Sequence, residues 1–187
     1  MEVIETTLAG IKIVVPQRFS DPRGDFSEVW NAARFADAGI AANFVQDNHV
    51  RNARKFTVRG LHYQISPGAQ DKLVRVTRGA IFDVVVDIRR GSPGFGRHAF
   101  SEISAENGHE LWVPTGFAHG YCTLADDTEV TYKVTEYYRP ELERGIAWND
   151  PQIMIAWPVS PAAALLSDRD RKLPRLADQR DLFEFSE

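Results

Sequence analysis

With 187 residues, 43% apolar and 26% charged, the chain has the composition of one globular domain with a full core, which excludes a disordered or fibrous protein. A net charge of −4 excludes a general nucleic-acid binder, which needs a basic excess, and the single Cys122 excludes an internal disulfide and a multi-cysteine metal site. No apolar run approaches the roughly 20 residues of a membrane span, and the opening Met1-Glu-Val-Ile-Glu lacks a secretory signal, so the expected location is the cytoplasm.

Short runs of β-branched and aromatic residues, set between Gly, Pro and Asn/Asp turns, predict a mostly β chain. In order, strands are expected over 11–15, 44–47, 58–64, 73–77, 81–88, 98–103, 110–113, 118–124 and 129–138. So many short strands at close spacing indicate a sandwich or barrel. Helical signal is confined to 31–38, ended by Gly39, and to 161–166. Arg78-Gly-Ala80 reads as a hairpin turn with Gly79 in the left-handed region. The charged stretch near the end reads as a surface tail from about residue 171 of a single domain spanning 1–187. Cys122, among Gly120-Tyr-Cys-Thr-Leu124, reads as a buried thiol.

The chemistry concentrates in Val58-Arg-Gly-Leu-His-Tyr-Gln64, which sets a guanidinium three residues from an imidazole. A guanidinium grips phosphate through its planar fork, and an imidazole is the side chain best suited to proton abstraction near neutral pH. Strict strand alternation would point Arg59 and His62 to opposite faces, and Gly60 offers a bulge that re-aims one of them. By local sequence alone His62 and His119 suit structural hydrogen bonding as well as chemistry. The five histidines include no His-x-His or His-x-x-x-His pair, and no nucleophile elbow, Walker loop or Rossmann loop occurs. Acid/base chemistry remains, with His62, Tyr132, Lys72 and a carboxylate as candidates. Alternation in 129–138 puts Tyr132 and Tyr138 on one face, within reach of an extended nucleotide sugar, or as a plain aromatic cover for a barrel mouth.

Pro114-x-Gly116 followed by Ala-His119 resembles a motif of the cupin superfamily. Where metal-binding cupins carry His-x-His, this chain reads His62-Tyr-Gln64, a departure expected of a cupin-like barrel without metal. Over residues 4–170 the chain resembles the dTDP-4-dehydrorhamnose 3,5-epimerase family. The resemblance rests on Asp21-x-Arg-Gly-x-Phe26, Phe44-Val-Gln-Asp-Asn-His49, Arg59-Gly-Leu-His-Tyr-Gln64, Lys72-Leu-Val-Arg75, Leu111-Trp-x-Pro-x-Gly-Phe-Ala-His-Gly120, Tyr132-Lys-x-Thr-x-Tyr-Tyr138 and Leu166-Ser-Asp-Arg-Asp170.

That resemblance implies a homodimeric jelly-roll isomerase without cofactor or metal, acting on a dTDP-4-keto-6-deoxy sugar. It implies His62 as base, Asp170 as the carboxylate that orients it, Lys72 as the cation for an enolate and Tyr132 as the opposing acid. For substrate binding it implies Arg23 and Arg59 at the diphosphate and Phe26 and Tyr138 around the base. Glu28, Gln46, Asp47 and Asn48 would add polar contacts, with His119, Glu143 and Arg169 at the rim. Position 169 more often carries lysine in such enzymes. An epimerase of a single centre, and a non-catalytic sugar-nucleotide-binding cupin, are the alternative expectations.

Overall fold

Alternating side-chain burial sorts the strands into two antiparallel sheets in a computed structural model that describes residues 1–185. In chain order the elements are β1 (Glu2–Glu5), β2 (Lys12–Val15), β3 (Arg18–Asp21), β4 (Gly24–Ser27), helix α1 (Ala32–Asp37), β5 (Gln46–Asn52), β6 (Val58–Gln64) and β7 (Lys72–Arg78). They continue with β8 (Ala80–Asp87), β9 (Arg89–Arg90), β10 (His98–Ser104), β11 (Glu110–Val113), β12 (Phe117–Thr123), β13 (Thr128–Val134), β14 (Glu143–Gly145) and β15 (Phe183–Glu184). The first sheet has the order β1-β2-β11-β7-β13-β5 and the second β10-β8-β12-β6-β14.

The main core lies between them. Val74, Val76, Leu111 and Val130 from the first sheet meet Ile81, Val85, Ile103, Phe117 and Tyr121 from the second. The expected mostly β, cupin-like architecture is therefore present, with the two sheets packed face to face rather than closed into one barrel. β12 is buried at every position because its other face is covered too. Its Ala118 packs with Leu61, Ile146, Ile153 and Leu176 on that outer side.

The predicted helix forms where expected. The Asn31 side chain caps it by accepting the Arg34 N–H at 3.3 Å, and Phe35, its one buried residue, plugs the outer face of the first sheet beside Leu73 and Trp112. Cys122 is fully buried, and burial pushes its thiol up to about 11.

Four expectations need correction. Arg78-Gly-Ala80 is not a hairpin turn: β7 belongs to the first sheet and β8 to the second, so the chain crosses between layers at Gly79 (φ +76°). Residues 161–166 form turns rather than a helix, and Leu165 bridges to Thr57. β13 stops at Val134, four residues short of the expected end.

The fourth concerns the tail. Over 171–185 it is docked rather than free: Leu176 is buried in the outer cluster, Gln179 Nε2 donates to Gly145 O, and β15 pairs parallel with β9. Burying a leucine contributes roughly 1.5–3 kcal/mol, enough to hold a segment whose composition is mainly charged.

Candidate active site

β6 and β12 pair out of step at the place that matters. His62 faces His119 and Arg59 faces Tyr121, so three steps on β6 oppose two on β12 and Gly60-Leu61 forms a bulge. A Cβ on Gly60 (φ +106°) would lie 2.7 Å from the His119 carbonyl oxygen, so only glycine fits. The bulge turns both Arg59 and His62 into one cavity of about 320 Å³ between the sheets.

His62 is held from far along the chain. Its Nε2 lies 2.7 Å from Oδ1 of Asp170, which is buried in the short 3-10 turn Asp170–Lys172. Burial by itself would raise the Asp170 carboxyl, but hydrogen bonds from His62, Ser167 and the Gly60 backbone outweigh it and hold the group below the usual carboxylate range. The carboxylate is thus ionised beside the imidazole, where it orients the ring.

Lys72, at the start of β7, reaches into the same space, with Nζ 3.4 Å from His62 O. Burial lowers its ammonium to about 8, against the opposing pull of Glu143 and Asp83. Tyr132 lines the cavity from neighbouring β13, and burial raises its phenol, with Glu143 adding to the shift, so it stays protonated at neutral pH. An imidazole, a buried amine and a protonated phenol therefore share one cavity.

Around them stand the groups suited to a nucleotide. Arg59 Nε donates to Asn52 Oδ1 at 2.8 Å, which fixes the guanidinium at the cavity wall. His119 Nε2 lies 2.6 Å from Asp83 Oδ1, so a second imidazole–carboxylate pair stands on the strand beside the first. Glu143 Oε2 accepts from both Tyr138 Oη and Arg169 Nη1, each at 2.6 Å, and the hydrogen bond to Glu143 raises the Tyr138 phenol. Gln46 and Asn48 point inward and are joined at 2.8 Å.

Asp170 and Arg169 stand behind His62 and Glu143 rather than in the cavity lining, and four further expected residues are absent from the cavity. Asp47, between two inward neighbours on β5, faces the other side and pairs with Lys133 at 2.9 Å. Arg23, Phe26 and Glu28 stand on or beside the β3–β4 hairpin, which joins neither main sheet. Arg23 pairs with Asp21 at 2.6 Å, Phe26 is 67% exposed, and Glu28 pairs with Arg34.

Asn52, Asp83, Gln64 and Gln70 were not foreseen as parts of the site. For Asp83 a signal existed: an acid inside the apolar run 81–88, which also holds Asp87, must find a partner when buried. Among the described residues no three His, Cys, Asp or Glu side chains gather in a way that could hold a metal ion. No helix among them is long and apolar enough to cross a membrane.

A model of the family described as dTDP-4-dehydrorhamnose 3,5-epimerase matches residues 5–178. A dTDP-4-dehydrorhamnose 3,5-epimerase of Sinorhizobium fredii is 48% identical over 183 residues, which cover 96% of this chain and 91% of that protein. A solved dTDP-6-deoxy-D-glucose-3,5-epimerase of Legionella pneumophila, in complex with dTDP-4-keto-L-rhamnose, superposes with a TM-score of 0.95 at 41% identity, covering 100% of this chain and 99% of that one. A dTDP-4-dehydrorhamnose 3-epimerase of Streptomyces niveus is more distant, at 35% identity over 93% of this chain and 83% of its own length. Matched by the family model over residues 5–178 and by a relative at 48% identity over 96% of its length, the chain belongs to the dTDP-4-dehydrorhamnose 3,5-epimerase family.

Proposed function

We propose that this isomerase inverts C3 and C5 of dTDP-4-dehydro-6-deoxy-D-glucose to give dTDP-4-dehydro-L-rhamnose. The observation that carries the reading is the His62–Asp170 pair opening on the same cavity as Lys72 and Tyr132. A C4 ketone acidifies the protons at C3 and C5, because each carbanion delocalises onto the ketone oxygen. The His62 ring nitrogen not engaged by Asp170 takes the proton, and Asp170 stabilises the imidazolium that forms. Lys72 stabilises the enolate oxygen, and Tyr132 returns a proton to the opposite face, which inverts the centre. The greater likeness to a 3,5-epimerase than to a 3-epimerase, 48% against 35%, supports inversion at both centres.

Arg59 would grip the diphosphate with its fork, and Tyr138 would stack on the base. Gln46, Asn48, His119, Glu143 and Arg169 would supply polar contacts. The working form in this reading is a homodimer, in which the β3–β4 hairpin of one copy carries Arg23, Phe26 and Glu28 to the cavity of the other. Their absence from the lining of their own cavity and the exposure of Phe19 (53%) and Phe26 (67%) support it. The buried, unpaired Cys122 suits a reducing compartment such as the cytoplasm.

The test is incubation with dTDP-4-keto-6-deoxyglucose in deuterium oxide, followed by proton NMR. Deuterium entering both C3 and C5 is the expected outcome. Exchange at one position alone would reduce the activity to a single-centre epimerisation, and none would leave a binding protein.

A further inference from the structure

Tyr138 lies in no strand. The last ladder pairs of β13 are Val134 with Gln46 on one side and with Lys72 on the other, and the next five residues run on without a strand partner. Such a segment, with its backbone groups free, would ordinarily be mobile. Here each of the five is held individually. Thr135 N–H donates to Asp71 O at 3.2 Å. Glu136 O accepts Gln70 Nε2 at 2.6 Å, and Tyr137 O accepts Gln64 Nε2 at 3.2 Å. Tyr138 N–H donates to Gln46 Oε1 at 3.0 Å, and Arg139 N–H to Gln64 Oε1 at 2.7 Å.

Three glutamines from three separate parts of the chain thus replace a missing strand. Gln64 is the central one. It is buried, and its amide uses both ends: Oε1 takes the Arg139 N–H, while Nε2 serves Tyr137 O and also Gly68 O at 2.6 Å, tying in the loop before β7. An amide carries its donor and its acceptor on separate atoms, so it can bond a carbonyl and an N–H of the same passing backbone at once. Gln64 also lies two residues beyond His62 on β6, on the same side of the strand, and both line the cavity.

We infer that Gln64, with Gln70, is a positioning residue that fixes the Tyr138 ring at a set distance from His62, so that the nucleotide end and the reacting end of the cavity keep one spacing. The inference rests on the proposal that Tyr138 stacks on the base of the nucleotide. Preorganising an aromatic platform lowers the ordering cost of binding and leaves the chemical step untouched. Gln64 and Gln70 therefore act on substrate affinity.

The experiment measures the dissociation constant of dTDP by calorimetry for the wild type, Gln64→Leu, Gln70→Ala and Tyr138→Ala, and for each glutamine variant combined with Tyr138→Ala. An unsatisfied buried group at this segment should weaken dTDP binding by about tenfold in Gln64→Leu and about threefold in Gln70→Ala. Neither glutamine change should weaken binding further once Tyr138 is alanine, because residues that act through one another are not additive. Gln70→Ala should raise KM while leaving the exchange rate at saturating substrate as in the wild type.

Unaltered affinity in the folded variants, or full additivity with Tyr138→Ala, overturns the inference. Should Gln64→Leu fail to fold, Gln70→Ala, whose carbonyl partner water can reach, decides the matter by the same measurements. A wild type that does not bind dTDP at all overturns the functional reading and this inference with it, whereas a wild type that binds, with unchanged glutamine variants, overturns this inference alone.

Discussion

The cavity and the β3–β4 hairpin carry the side chains that the proposal assigns to one substrate, yet they are built in opposite ways. In the cavity, His62, Tyr132 and Lys72 stand on strands paired to neighbours, and His62 is clamped by Asp170. In the hairpin, every strand residue except Ser27 is exposed, and among the described residues the only charged partner of Arg23 is the neighbouring Asp21. Phe19 and Phe26 face each other there at 6.3 Å with no core beneath them. A two-stranded ribbon displaying two aromatic rings is a poor free-standing structure and a good docking element. The comparison teaches that one chain pre-assembles the machinery proposed for proton transfer but leaves part of the proposed nucleotide clamp facing outward.

The strongest way to separate the two regions is His62→Ala. Loss of the base should lower deuterium exchange at C3 and C5 by about 10²–10⁴-fold, while dTDP affinity stays within about threefold. Changing both Arg23 and Phe26 to alanine should do the reverse, weakening dTDP binding by more than about tenfold through lost anchors. Mixing that double variant with His62→Ala should restore activity to about a quarter of the sites, since half of the random dimers are mixed and each then holds one intact cavity. Absence of any recovery would break the comparison, because each site would then be complete within one chain.

Within the cavity, Tyr132→Phe should retain deuterium exchange but lower the yield of inverted product by about tenfold or more, read by NMR of the products. Lys72 sharpens the picture through pH. Its ammonium, lowered to about 8 by burial, is the charged and useful form below that value. kcat/KM, which reports the free enzyme, should therefore fall as pH rises through about 8, and Lys72→Arg should move that fall to higher pH.

The smallest expected effect lies outside the cavity, at Glu110 on β11. Burial pushes this carboxyl up to about 8, with Arg75 only partly offsetting it, and its Oε2 has no hydrogen-bond partner among the described residues. A carboxyl raised on folding contributes stability that is complete below its unfolded value near 4.5 and is lost as pH rises towards 8. Glu110→Gln should remove that loss, raising the melting temperature by a few degrees at pH 8 and hardly at all at pH 4.

Much of this was legible in the residues themselves. The expected strands 58–64 and 110–113 coincide with β6 and β11 to the residue, because period-two alternation and bounding turns are local signals. Gly60 announced the bulge for the same reason: only glycine tolerates a backbone approach that close. The family motifs alone group His62, Lys72, Tyr132 and Arg59, which line one cavity.

What failed depended on distance. Turn chemistry at Gly79 told of a reversal but not of which sheet the next strand would join. Charged residues around Leu173, Leu176 and Phe183 hid a segment that docks by a few scattered apolar contacts rather than by a periodic face. The partners Asp83 of His119 and Asn52 of Arg59, and the glutamine supports of Tyr138, lie 36, 7 and up to 92 positions from the groups they hold. Local sequence determined the strands, the bulge and the kinds of chemistry available; the tertiary structure alone decided which buried polar groups meet, because a hydrogen bond depends on separation in space and not along the chain.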